Sequence, residues 1–310
     1  MKKGLSALLH PHSVSDFMES FEQNRPFVVH HESDDLKALT ELPFLASLEA
    51  MLKTWTGKIQ AHLPDVRDES SSIDVTSVDA QKVFNNGMGL LFNQAQTLSP
   101  ILVEWLEEIQ QELGLSQLSY GRCLVYATPK NKGTAPHFDQ NINFVLQVHG
   151  EKTWYIAPNE HLANPLTRFT MGQEPDDEMQ GYLETEFPTK MPANAEKIVL
   201  KPGSLLFVPR GAWHSTDAQE DALSLNFTFT MATWIDIFTA ALKSRLSMAP
   251  EWREAAYGLN ESFDRETAEM KFNALLGSIV DDLPNWQAQD ILNATEGILI
   301  EQPSEHPEEE

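Results

Sequence analysis

Apolar positions along this 310-residue chain change their period twice. Between Pro100 and Leu113 they recur at 101, 102, 105, 106, 109 and 113, one stripe of an amphipathic helix. Ser99 suits its N-cap, Pro100 its first turn and Gly114 its end. From about Tyr120 the pattern predicts short strands at 122–128, 137–148, 152–157, 197–200, 204–208 and 222–230. Turn signals separate them at Pro129–Gly133, Gly150, Pro158–Asn159, Pro202-Gly203 and Pro209–Gly211. After Thr233 the helical period returns over Trp234–Leu246, Glu251–Tyr257, Arg265–Val280 and Trp286–Thr295. Short strands punctuated by Gly and Pro predict a mainly β fold with flanking helices, a sandwich or barrel of the jelly-roll kind.

The flanks read less regularly. Ser15 heads a short helix with apolar residues at 17, 18 and 21, Arg25–His30 is a strand entered through proline, and Pro43–Trp55 is a second helix. Residues 64–79 read as a loop, and 160–195 as an insertion that edges a binding site. The expected organisation is a mixed N-terminal region at 1–119 packing on a core at 120–233. A C-terminal helical segment at 234–300, covering the barrel or forming a dimer interface, and a disordered acidic tail at 301–310 complete it.

Strand faces bring in the chemistry. On 137–148 the odd positions are His137, Asp139, Asn141, Asn143, Val145 and Gln147, whereas the even ones are mostly apolar. Residues i and i+2 share a face, so His137 and Asp139 can converge on one ion. Ser224, Asn226, Thr228 and Thr230 make a similar polar face on 222–230. A solvated sheet face explains hydroxyls as well as a polar barrel interior does. It explains His-x-Asp followed by amides less well. Trp213-His214 supplies a third ligand, and two histidines with one carboxylate form the usual set of a non-haem Fe(II) oxygenase. Lys152 lies across the Gly150 turn. It reads either as an exposed hairpin lysine or as an inward cation needing an anion, such as the distal carboxylate of 2-oxoglutarate. His149, the pair His10/His12 and the pair His30/His31 read as surface residues. Cys123, among Leu124, Val125 and Tyr126, reads as a buried structural thiol.

Composition narrows the setting. Hydrophobic content of 41% and charged content of 22% are those of an ordinary globular chain. A single cysteine forbids an internal disulfide and fits a reducing compartment. The five-residue near-apolar run near the start is too short for a signal core, and no stretch approaches the ~20 apolar residues of a membrane span. A cytoplasmic protein without a membrane partner is expected. The formal net charge of −24 disfavours direct nucleic-acid binding, which needs clustered Lys and Arg. Residues 251–310, with 15 acidic and 3 basic residues, carry half of that charge. They read as a solvated helical surface or as an attractor for a basic partner such as a ribosomal protein.

Taken together, these residues resemble the JmjC, cupin-type family of Fe(II)- and 2-oxoglutarate-dependent oxygenases. His137-Phe138-Asp139 with His214 matches the family's metal triad, and Lys152 falls at the spacing of its cosubstrate-binding basic residue. The run Asn143–Lys152 is similar to the matching strand and turn of the asparaginyl hydroxylase that acts on hypoxia-inducible factor. Thr134, Asn226 and Asn143 match polar positions of its cosubstrate pocket, and Phe92 stands where that enzyme has a tyrosine. Lys201–His214 looks more like the ribosomal oxygenases. The resemblance covers about residues 80–235. It implies a double-stranded β-helix (jelly-roll, cupin) core and a dioxygenase using Fe(II), 2-oxoglutarate and O2. The implied reaction hydroxylates a side chain of a protein, a basic ribosomal protein among the candidates, and releases succinate and CO2. A homodimer through the C-terminal helices is also implied. The same site serves small-molecule hydroxylation or N-methyl-lysine demethylation. A cupin metalloenzyme without 2-oxoglutarate and an inactive scaffold are the rival classes.

Overall fold

The computed structural model describes residues 3–30, 34–63, 72–259 and 265–295. Its strands in chain order are β1 (Phe27–His30), β2 (Ile59–His62), β3 (Ser72–Val75), β4 (Gly89–Phe92), β5 (Tyr120–Thr128), β6 (Gly133–Phe138) and β7 (Ile142–His149). They continue as β8 (Lys152–Ala157), β9 (Phe169–Thr170), β10 (Glu196–Leu200), β11 (Ser204–Val208), β12 (Trp213–Ala218) and β13 (Ala222–Thr230). Two antiparallel sheets form a cupin-type β-sandwich. The larger is ordered β1-β11-β7-β13-β5-β4-β2-β3 and the smaller β10-β8-β12-β6-β9. Four strands of the N-terminal region thus complete the larger sheet.

Strand β7 lies between β11 and β13, and only His149 of its eight residues escapes full burial. That explains its near-continuous apolar character on the outward face. Phe17, from the helix Val14–Glu22, packs there on Phe144 at 5.6 Å and Phe207 at 5.1 Å between ring centroids. Trp105 of the helix Pro100–Glu112 stacks on Phe227. Each such fully buried aromatic stabilises the fold by about 1.5–3 kcal/mol. Between the sheets lie Val145, Trp154, Ile156, Leu200 and Leu206.

Several expectations need correction. The stretch 137–148 is two strands in two different sheets, with the corner at 139–141. Strand β12 was not expected, because Trp-His-Ser-Thr-Asp-Ala offers no apolar alternation. Within the expected loop 64–79, Ser72–Val75 forms β3 as an edge strand on β2 and a helix starts at Ser77. The helix expected over Pro43–Trp55 is a 3-10 turn, Pro43–Leu45, followed by the helix Leu48–Thr54, whose separate cap is the Ser47 hydroxyl accepting from the Ala50 N–H. The first cap is Ser13 rather than Ser15. His149 is half-buried and its Nε2 meets the Leu45 carbonyl at 2.7 Å.

By contact the chain divides into two compact units, Met1–Gly114 with Gly121–Thr230, and Leu115–Tyr120 with Met231–Glu310. The second contains the helices Trp234–Leu246, Arg265–Asp282 and Ala288–Thr295. Of the expected helix Glu251–Tyr257 only a 3-10 turn at Pro250–Arg253 forms. A capping box of Thr233 and Asp236 starts the first helix, and Arg245 grips Asp282 through two nitrogen–oxygen contacts. The expected tail at 301–310 lies outside the described residues.

Candidate metal centre

Strand β6 delivers His137 and strand β12 delivers His214, directly opposite each other in the register. Their ring centroids lie 4.1 Å apart. Each imidazole is held in the same way. The Nδ1 of His137 meets the carbonyl of Ala135 at 2.8 Å, and the Nδ1 of His214 meets that of Ala212 at 2.9 Å. A carbonyl only accepts, so Nδ1 carries the proton in each neutral ring and Nε2 keeps its lone pair. Asp139 follows the end of β6, where its own carbonyl accepts from the Gly211 N–H at 2.8 Å. Its Oδ2 lies 3.7 Å from Nε2 of His214, and ligand atoms of all three residues fall within 4.8 Å of one another.

The geometry depends on a bulge. His137 pairs with His214 but Thr134 pairs with Thr216, so β6 carries one extra residue over that interval. Pro136, which has no N–H to give a ladder, sits in it. The bulge turns both Thr134 and His137 into the cleft, although strict alternation would put them on opposite faces. Gly133, just before it, lets the backbones approach closely. A Cβ there would stand 1.8 Å from the Thr216 carbonyl oxygen.

The Asp139 carboxyl is pushed up by burial. Attraction to His137 and His214 in their protonated form and to the Arg168 and Arg122 guanidinium groups outweighs that and holds it below the usual aspartate value. Arg168, immediately before β9, places Nε 3.3 Å from Oδ1 of Asp139. One oxygen therefore faces the guanidinium and the other the histidines. Trp154 stacks on His214 with rings 26° from parallel.

These residues open into a cleft of about 240 Å³ that also contains Lys152, Thr134, Asn143 and Asn226. Lys152 is 4% exposed. Its Nζ donates to Thr128 Oγ1 at 3.1 Å and lies 6.0 Å from the Tyr126 ring and 5.6 Å from that of Trp154. The inward alternative, not the exposed hairpin, is therefore the one observed. The hydroxyls of Thr134 and Thr216 are 3.0 Å apart. Asn226 Nδ2 donates to Asn143 Oδ1 at 3.2 Å, and Thr228 Oγ1 donates to the same atom at 2.7 Å. The remaining oxygen of Asn226, Oδ1, is buried with no hydrogen-bond partner among the described residues.

Phe92 does not reach the cleft. It is fully buried against Trp55 at 5.3 Å, because Leu91, the next residue on the strand, takes the inward face. On that side the cleft takes its aromatic ring from Tyr126, opposite Leu91 on β5. Tyr126 and Arg122 were not singled out in the sequence. Their signal was there, since 122, 124 and 126 share one face of a strand. Arg168 had none, lying in an irregular segment. The cysteine, Cys123, points away and is buried.

Residues 102–237 match the JmjC domain family. Uncharacterized protein YxbC of Bacillus subtilis (strain 168) is 29% identical over 285 residues, covering 90% of this chain and 86% of that protein. Human ribosomal oxygenase 1 is 32% identical over 180 residues, which is 56% of this chain and 25% of the relative. The bifunctional lysine-specific demethylase and histidyl-hydroxylase NO66 of Aedes aegypti is 25% identical over 266 residues, 79% of this chain and 37% of that protein. The chain thus matches only a quarter to just over a third of these two longer relatives. Among solved structures, YcfD, a ribosomal oxygenase from Escherichia coli in complex with cobalt and succinic acid, aligns with a TM-score of 0.53 at 14% identity, over 92% of this chain and 69% of that one. The same protein with cobalt and 2-oxoglutarate gives 0.51 at 15% identity, over 90% and 68%. At such identities the likeness is one of fold.

Proposed function

The chain is a JmjC-domain protein related to the ribosomal oxygenases and NO66, and from that premise we propose that it is an Fe(II)- and 2-oxoglutarate-dependent dioxygenase hydroxylating a side chain of a protein. One observation carries the reading. A two-histidine, one-carboxylate triad with both imidazoles locked by backbone carbonyls shares its cleft with a buried lysine. The donor set suits Fe(II), since it offers two neutral nitrogens and one anionic oxygen on one side and leaves the other side open. The unpaired Asn226 oxygen fits a cleft that a polar molecule fills.

His137 and His214 would hold the metal through Nε2 and Asp139 through one carboxylate oxygen. When bound with 2-oxoglutarate, iron supplies the redox chemistry: O2 is consumed, the cosubstrate becomes succinate and CO2, and one oxygen atom enters a substrate C–H bond. Lys152 donates to the far carboxylate, and the arriving anion offsets the cost of burying the ammonium. Thr134 adds its hydroxyl on the same side, and Asn143 and Asn226 form the polar wall opposite. Trp154 and Val145 keep water from the inner end.

Succinate formation by the iron-loaded protein tests the activity, and two variants test the assignment. Asp139→Ala should lose nearly all bound iron, whereas equal iron in variant and wild type would sink the triad. Lys152→Met should weaken 2-oxoglutarate binding by roughly tenfold to a hundredfold, the value of a hydrogen bond to a charged group. The target follows from mass spectrometry of host proteins with and without this chain, read for the gain of one oxygen atom.

A further inference from the structure

The metal ligands and the buried lysine of the cleft are separated by an apolar band. At one end stand His137, Asp139 and His214, and at the other Lys152, which donates to Thr128. Of the side chains that β7 and β8 turn into the cleft, the apolar ones are Val145 and Trp154. Both belong to one buried cluster, which joins the two sheets at this level.

The ladder places Trp154 between the two ends. It follows Lys152 by two residues on the same face of β8, and it pairs with Thr216, two residues beyond His214 on β12. Its ring therefore borders both groups. The Lys152 Nζ lies over it at 5.6 Å from the centroid, and the His214 imidazole stacks on it at 5.8 Å between centroids. The indole Nε1 is buried with no hydrogen-bond partner among the described residues, so packing in the cluster with Val145, Leu200 and Leu206 fixes the ring. A molecule that reaches from the lysine to the metal passes this indole.

We propose that Trp154, with Val145 beside it, determines the length of diacid that the cleft accepts, by packing against the two methylenes between the 2-oxo group and the far carboxylate of 2-oxoglutarate. The inference rests on the oxygenase reading above and adds a specificity determinant to it. Polar groups at each end with an apolar band between them match a molecule that is charged at both ends and hydrocarbon in the middle. Lys152 and His214 both border the same indole, so neither end can recede without giving up that contact. A longer diacid must then bend its extra methylene against a buried ring. One methylene in such a pocket changes affinity by about 10- to 200-fold.

The test uses the full chain with saturating Mn(II), and calorimetry reads the binding of 2-oxoglutarate and of 2-oxoadipate, which is one methylene longer. Wild type should prefer 2-oxoglutarate by about tenfold or more, and Trp154→Phe, which frees volume beside the methylenes, should narrow that preference to about threefold or less. Val145→Ala should narrow it in the same direction, and it carries the test if Trp154→Phe fails to hold Mn(II). Ile198→Val trims the same cluster at a residue that does not line the cleft, and should leave the preference within about twofold of wild type. Equal loss of affinity for both diacids in the Trp154 and Val145 variants would show a merely structural role and overturn the proposal. Equal affinity for both in wild type, or the same narrowing in Ile198→Val, would overturn it too. Binding of neither diacid by the Mn(II)-loaded wild type would overturn the oxygenase reading instead.

Discussion

Replacing Gly133 by alanine should damage the metal centre without touching a ligand. The added Cβ would sit 1.8 Å from the Thr216 carbonyl oxygen and 3.0 Å from the Asp217 Cα, both backbone atoms that no rotamer change can move away. Restoring ordinary contact near 3.4 Å requires the chains to part by about 1.6 Å, a third of the roughly 4.8 Å between neighbouring strands. The strands concerned are β6 and β12, which carry His137 and His214. Ligand positions must hold to about 0.2 Å for a metal site to keep its affinity. We expect Mn(II) affinity to fall about 10- to 100-fold, as when a supporting contact is lost. Overpacking should also cost about 1–3 kcal/mol of stability. Calorimetric titration of the apo-protein and urea unfolding measure the two effects on one sample. A variant that unfolds earlier but binds Mn(II) as tightly as wild type would refute the reasoning, because the strand would then yield somewhere other than at its ligands.

Other outcomes follow from single features. Gly277→Ala, in the helix Arg265–Asp282 with nothing within 4 Å of the new Cβ, should stabilise that helix by about 0.5–1 kcal/mol; a lower melting temperature would contradict it. Burial pushes the Cys123 thiol well above its usual value, so a thiol reagent at pH 8 should label it only after unfolding. Native labelling at the rate of a free thiol would show the site to be open. The hydrogen bonds from Arg245 and Trp286 hold the Asp282 carboxyl far below the usual aspartate value. Its folded value lies below the unfolded one, so its contribution is present above the ordinary aspartate range and fades as pH falls. Asp282→Asn should therefore melt below wild type at pH 7, with a gap that narrows in acid; a gap independent of pH would exclude the ion pair as its cause.

Much of this was legible in residue order. Strands at 152–157, 204–208 and 222–230 follow from alternation between turn signals and form as read. The polar face of His137, Asp139, Asn143 and Val145 also survives, although the strand that suggested it is really two, since parity carries across the corner at 139–141. What was illegible depends on contacts distant in sequence. Strand β12 is polar and exists because β6 and β8 flank it. The inward turn of Thr134 needs a bulge that only the pairing with Thr216 reveals. Arg168 reaches Asp139 through a two-residue strand, too short to leave a pattern. The choice of Leu91 over Phe92 for the inward face is likewise a matter of register, which composition does not encode.

The division of labour between the two sheets has a mechanical consequence. His137, His214, Thr134, Thr216 and Lys152 all stand on β6, β12 and β8, adjacent strands of one hydrogen-bonded ladder, while Asn143 and Asn226 stand on the facing sheet. The step from the ligand row to the threonine row is two residues along β12, about 7 Å. That length is fixed by covalent geometry and cannot breathe with the packing between layers. The smaller sheet is in effect a ruler for the proposed cosubstrate, and the larger one faces it across side-chain packing alone. Hydrostatic pressure or a repacked interlayer core should therefore move the Asn143 and Asn226 wall of the proposed pocket long before it changes the spacing between the metal ligands and the Thr134 and Lys152 end.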